Sequence, residues 1–329
     1  MTEFRTVLNL KGSHNKILYD SRMLFMGSCF SGNIGDMFME RRFNAMVNPF
    51  GILYNPVSVS NSLDILTEKH LFIDKELFIH EGIWHSFYHH SRYSGPDRNE
   101  VIKAMNDDIT SGHEMLKKAD FLFITLGTAR VYEFIETGKI VSNCHKLSAN
   151  LFHRYRLNVD EVIDVLSGTI KKIKKLNPEL RIVFTVSPVR HWKDGAHGNQ
   201  LSKSVLLLAI DELESRFTNV SYFPSYELVM DELRDYRFYD EDMLHPSDTA
   251  VKFIWEKLNE VYFTEDTKRY VKEVEKIMKA RNHRPFNPSG NHYRTLAQNM
   301  LKKVGDMKKR FPGVELNEYE NFFENINSF

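Results

Sequence analysis

The sequence predicts a three-layer α/β/α fold on a doubly wound parallel sheet, carrying an inserted hairpin segment and a C-terminal helical extension. Three observations predict it. Short apolar runs recur at residues 23–26, 43–47, 121–126 and 181–186, with a weaker one at 220–223. Most are apolar on both sides rather than alternating, which suits strands covered on both faces by helices. Amphipathic helical patterns lie between them, so the order reads β-α-β, an insertion, then β-α-β-α-β.

Each element has its own signal. The first run stops at Gly27-Ser28-Cys29, after which Phe30, Ile34, Met37 and Phe38 fall at helical spacing. The insertion covers about residues 56–119, and within it residues 77–88 read as a hairpin turning at Glu81-Gly82. That hairpin runs into WHSFYHHSRYSGPD. Here Trp84, Phe87, Tyr88 and Tyr93 are either a stacking surface for sugar rings or a satellite core beneath the insertion. His85, His89 and His90 read as surface residues. Asn158 is placed to cap a helix through residue 175, and Asn199 one through residue 216. Pro246 suits the first turn of a helix whose apolar face is Val251, Ile254, Trp255 and Leu258.

After Tyr262 the character changes. Residues 267–310 hold 13 Lys or Arg against 3 Asp or Glu, whereas the last 19 residues hold 4 acids and no base. Val271, Val274, Ile277 and Met278 keep helical spacing, as do Leu296, Met300, Val304 and Met307, with RPFNPSG between the two patterns. This reads as a helical hairpin with a solvated basic face; a nucleic-acid patch is the alternative. The expected organisation is an α/β domain over 1–265 and a helical extension over 266–329 packed on the core.

Composition narrows the function classes. The 329 residues are 42% hydrophobic and 12% aromatic, enough for a sizeable core. Lys+Arg and Asp+Glu both total 44, so whole-chain charge points neither to nucleic acid nor to a membrane. Two cysteines, Cys29 and Cys144, make no disulfide framework. The first twenty residues lack a signal-peptide h-region, and no run approaches eighteen apolar residues, so a cytoplasmic protein is expected. There is no phosphate-binding G-x-x-x-x-G-K-[ST], and SGNIG lacks the dinucleotide glycine spacing.

The chemistry concentrates at two places. A serine on a sharp strand-to-helix turn projects beyond the sheet edge, beside backbone N–H groups that can face an oxyanion. Ser28 holds that position, and it needs a base with an orienting carboxylate. YDEDMLHPSDTAVKFIWEKL supplies both: Asp242 and His245, three apart in a loop after the last strand, can pair within one turn. Cys29 is the other possible nucleophile, since a thiol at a helix start can have a depressed pKa; a buried packing role is the alternative.

MGSCFSGNIG near the amino terminus and DMLHP near the end of the domain resemble the SGNH hydrolase superfamily, with the serine in a first block and D-x-x-H in the last. Within it, GSCFS resembles the GSCFA family, with Ser31 in place of the alanine; NPFGILYNP, TLGTARVY and SPVRHWKDGAHGN are in the same style. The resemblance covers about residues 20–262 and implies an esterase-like fold. It also implies an oxyanion hole from the serine N–H, a glycine N–H after the second strand and an asparagine after the third. Ser28 and Gly51 match the first two; Gly127 ends the third strand region without the asparagine, leaving Thr128, Asn48 or Asn143 as the substitute.

Substrate contacts are expected from Arg190, His191 and His197 after the fourth strand, from His145 in SNCHK, and from Trp84. No metal set accompanies the histidines. The expected function is a serine-dependent O-acyl ester hydrolase without a cofactor, acting on a small-molecule or glycan ester with a short acyl group. An O-acyltransferase using the same residues and a non-catalytic carbohydrate- or partner-binding module are the alternatives. Neither a membrane nor, on charge, a nucleic acid is the expected partner. The oligomeric state is not legible.

Overall fold

A computed structural model describes residues 6–287 and 290–327 and resolves them into two compact units. The larger comprises Arg22–Asp36 and Ala45–Trp255 with a short N-terminal stretch; the other takes in Leu10–Ser21, Met37–Asn44 and the chain from Glu256 onward.

From the amino terminus the chain forms β1 (Arg22–Gly27), α1 (Cys29–Glu40), β2 (Asn44–Val47) and α2 (Pro56–Glu68). The insertion folds as a hairpin of β3 (Phe78–His80) and β4 (Ile83–His85), followed by α3 (Arg98–Lys118). Next come β5 (Phe121–Leu126), then β6 (Arg130–Phe134), β7 (Lys139–Val141) and β8 (Phe152–Arg156) of a separate small sheet. The domain continues through α4 (Val159–Leu176), β9 (Arg181–Val186), α5 (Gly195–Arg216), β10 (Val220–Tyr222), the single turn α6 (Ser225–Glu227) and α7 (Asp248–Tyr262).

The central sheet has the order β10-β9-β5-β1-β2, with β1, β5, β9 and β10 paired in parallel. Its strands form because both faces are buried. Leu24, Met26, Leu122, Ile124, Ile182 and Phe184 point into one core with Leu63, Met105, Leu166 and Ile210 of α2 to α5. On the opposite face Phe25 stacks on Phe123 at 4.8 Å, and α1 lies close enough that a Cβ on Gly35 would stand 2.6 Å from Val47. A parallel sheet between helices is therefore as the apolar runs predict.

The hairpin turns at Glu81-Gly82, both at positive φ (49° and 75°), the geometry of a two-residue connection. Asn158 caps α4 through a reciprocal bond with Glu161. Asn199 does not cap a helix. The helix begins four residues earlier, at Gly195, and the buried Asn199 side chain accepts the His191 N–H at 2.9 Å. The antiparallel β7-β6-β8 sheet is not anticipated by the sequence reading, because its short strands RVYEF and FHRYR carry charges on both sides.

In the smaller unit, α8 (Glu265–Asn282), α9 (Asn291–Arg310) and α10 (Asn317–Asn327) hold most of the basic run and the acidic tail. The two sequence biases meet as ion pairs, Arg281 with Glu318 at 2.5 Å and Lys308 with Glu320, while Lys303 pairs with Glu273 within the basic segment. Part of the RPFNPSG connection, residues 288–289, lies outside the described residues. Among the described residues no helix is long and apolar enough to cross a membrane.

Candidate active site

The turn from β1 to α1 is held open by a glycine. Gly27 has φ 132°, and a Cβ there would meet the Thr125 carbonyl oxygen at 2.1 Å, so the ends of β1 and β5 approach closely only without a side chain. Its N–H donates to the Asn48 side-chain oxygen at 2.9 Å, and its carbonyl accepts the Leu53 N–H at 2.8 Å. Ser28 follows the strand, and its N–H still donates to Thr125 O at 3.1 Å. Its hydroxyl is buried and unpartnered, the residue being 1% exposed. Cys29 opens α1 and is half-buried.

The expected oxyanion donors are mostly engaged elsewhere. The Gly51 N–H closes a turn onto Asn48 O at 2.7 Å, with Gly51 at φ 78° tight against His90. The buried Asn48 side chain clamps Gly27, as above. The Thr128 hydroxyl shares a hydrogen bond with Ser202 at 2.9 Å and accepts the Arg130 N–H. The Gly127 and Thr128 N–H groups both donate to Tyr54 O. Asn143 borders the cavity while its side-chain oxygen accepts the His145 N–H. N–H groups at the start of α1 have no intrahelical acceptor by construction, and those of Cys29 and Phe30 lie against the Cys29 sulfur.

Asp242 and His245 do pair. His245 Nδ1 stands 2.5 Å from Asp242 Oδ2, while Asp242 Oδ1 accepts the N–H groups of Leu244 and His245 at 2.8 and 2.9 Å. Met243 adopts φ 58° between them. The His245 N–H, then its ring, then the Leu244 N–H hold the Asp242 carboxyl down at about 2. An ionised carboxylate only accepts, so Nδ1 is the donor, and in the neutral ring Nε2 carries the lone pair.

His245 borders a cavity of about 680 Å³ that also receives Ser28, Cys29, Thr128, Arg190 and His191. The His191 ring meets Tyr54 edge-on at 5.5 Å, and burial, then the Lys203 charge, lowers its pKa to about 4, so it is neutral at pH 7. Arg190 reaches Met230 Sδ at 3.2 Å.

Three expected contacts lie elsewhere. His197 is exposed on the first turn of α5. His145 is buried, bonded to Ser86 O at 2.8 Å and against the His85 ring. Trp84 packs against the hydrophobic core beneath the Arg98 guanidinium. Phe87 stacks on Phe78 at 4.2 Å, Tyr93 is buried in the main core and Tyr88 packs against it, so the insertion's aromatics are packed side chains rather than a separate satellite core. His89 is buried too, its ring stacked on Phe50, rather than on the surface.

Several residues at the site escape the sequence reading. Arg130 and Arg154, from adjacent strands of the small sheet, both reach Asp194 Oδ1, at 2.9 and 2.6 Å, on the cavity wall. Fully buried Lys203 donates to Gly127 O and Ser187 O, each at 2.6 Å, tying together the carboxyl ends of β5 and β9. The signal for Lys203 was its place three and seven residues before Leu206 and Ile210, on the apolar face of α5. Among the described residues no group of three or more His, Cys, Asp or Glu is placed to hold a metal ion.

Fold and site define an α/β protein with a paired carboxylate and imidazole at the carboxyl edge of a parallel sheet. The chain belongs to the GSCFA family, whose model matches residues 22–258; the model of the GSCFA domain protein C-terminal domain matches residues 274–326. No curated protein matches it. Among solved structures it is similar to a Streptococcus pneumonia protein described as a platelet activating factor, at 14% identity and TM-score 0.37, over 73% of this chain and 83% of that one. It is also similar to a Clostridium thermocellum family 3 carbohydrate esterase, at 14% identity and TM-score 0.31, over 76% and 98% of the two chains.

Proposed function

We propose that the chain is an O-acyl ester hydrolase, cleaving a short acyl group from a carbohydrate or similar polar alcohol. The observation that carries this is the Asp242–His245 pair opening onto the cavity that also receives the turn from β1 to α1. A nucleophile from that turn attacks the ester carbonyl. His245 Nε2 takes its proton and returns it to the leaving alcohol, while Asp242 fixes the tautomer and stabilises the imidazolium. Water then releases the acyl group through the same imidazole. Arg130, Arg154, Arg190 and Lys193 on the wall, against the single carboxylate Asp194, favour a polar substrate. The short acyl group rests on the resemblance to SGNH hydrolases.

The test is a panel of p-nitrophenyl esters and acetylated sugars, read by product release. Short esters are turned over by the wild-type chain, and His245→Ala lowers kcat by at least about 100-fold with unchanged circular dichroism. A folded wild type that turns over no ester, yet binds sugars, would move the reading to a binding module. Product analysis with added sugar alcohols separates hydrolysis from acyl transfer.

A further inference from the structure

We propose that Cys29, not Ser28, is the nucleophile, so that the acyl intermediate is a thioester. This rests on the ester-hydrolase reading above and names the reacting atom within it.

The two neighbours differ in exposure and in what their backbone N–H groups meet. Both border the cavity, but the Ser28 hydroxyl is buried without a partner and its residue is 1% exposed. Its N–H, which a serine nucleophile would turn toward the oxyanion, is held by Thr125 O in the sheet. Cys29 is the first residue of α1, half-buried, on the cavity that His245 borders. The N–H groups of Cys29 and Phe30 lie against its sulfur, where a tetrahedral oxyanion would form. The whole assignment shifts one residue along the chain, from the residue between the strand and the helix to the first of the helix.

The surroundings agree. His245 and the Cys29 sulfur border one cavity, and the Asp242 and Lys203 charges both act on the thiol. Burial raises the thiol pKa above its ordinary value, and the Phe30 and Cys29 N–H groups and Lys203 only oppose that. The resting group is therefore a neutral thiol rather than a preformed thiolate, and His245 must remove its proton as the sulfur attacks.

The step balances without a further reactant. Sγ bonds to the carbonyl carbon as its proton passes to His245 Nε2. The carbon–oxygen bond to the alcohol breaks, and that proton leaves with the alcohol. Water attacks the thioester, giving a proton to Nε2; the carbon–sulfur bond breaks and the thiol recovers the proton. The net change is ester plus water to acid plus alcohol.

The experiment uses the full chain with p-nitrophenyl acetate, an iodoacetamide probe and a fluorophosphonate probe, followed by peptide mass mapping. The variants are Cys29→Ala, Cys29→Ser, Ser28→Ala and His245→Ala. Cys144, whose thiol burial pushes up to about 11, is the internal reference for alkylation. The expected result is alkylation of Cys29 well ahead of Cys144, slowed about tenfold in His245→Ala. Turnover falls at least about 100-fold in Cys29→Ala and changes by less than about threefold in Ser28→Ala. Cys29→Ser gains fluorophosphonate labelling at residue 29.

Fluorophosphonate on Ser28 of the wild type, or turnover that survives Cys29→Ala and dies in Ser28→Ala, overturns the assignment and leaves the hydrolase reading standing. His245-dependent alkylation of Cys29 in a chain that cleaves no ester does the reverse.

Discussion

Replacing Lys203 by methionine tests the buried ammonium that joins the carboxyl ends of β5 and β9. Lys203 is fully buried, and desolvation lowers its pKa from 10.5 to about 7. The folded pKa lies below the unfolded one, so the unfolded chain binds more protons between those values and stability rises with pH across them. Between pH 7 and pH 9 the unfolded lysine keeps nearly a whole proton, while the folded one goes from half-protonated to neutral. Integrating at 1.36 kcal/mol per unit gives a gain of about 2 kcal/mol. In Lys203→Met that gain disappears, although Gly127 O and Ser187 O each lose a donor, at about 1–3 kcal/mol apiece. The assay is urea unfolding of both chains at pH 7, 8 and 9, read as the difference between their stability curves. Parallel curves would refute the reasoning, because they would mean that Lys203 keeps its proton in the folded state over the same range as in the unfolded one.

Gly27→Ala places a methyl 2.1 Å from Thr125 O at φ 132°, and should cost on the order of 3 kcal/mol, read as a lowered urea midpoint. Asp242→Asn should lower kcat on the order of 10³-fold or more while leaving the urea midpoint almost unchanged, since the pair is half-exposed in a loop. Burial lowers His89 from 6.5 to about 3, so the unfolded chain binds more protons between those values and stability falls as pH drops below 6.5. Its share of the loss from pH 7 to pH 5 is about 2 kcal/mol, and His89→Phe, which keeps the ring on Phe50, should flatten the acid limb by that amount.

The parts of this chain legible from sequence are those whose signal is local. β5 and β9 were bounded to the residue because FLFITL and RIVFTV are buried on both faces and end at polar residues. The Asp242–His245 pair was legible because both partners and the N–H groups that orient them lie within four residues. The start of α5 was not: Asn199 followed by an apolar helical pattern resembles a cap, and only the chain folding back at His191 reveals its real partner. The engagement of the expected oxyanion donors is hidden for a similar reason. Which N–H is engaged depends on Thr125 for Ser28 and on Asn48 for Gly51, contacts that no spacing encodes. Arg130 and Arg154 were hidden because their shared partner Asp194 is forty or more residues away.

The Asp242–Leu244–His245 loop completes its own hydrogen bonds, drawing on neither β1 nor α1 for the orientation of the imidazole. The pair is thus preassembled within its own loop, independent of the sheet edge that carries Ser28 and Cys29. A substitution in β1 or α1 therefore leaves the orientation of the imidazole intact.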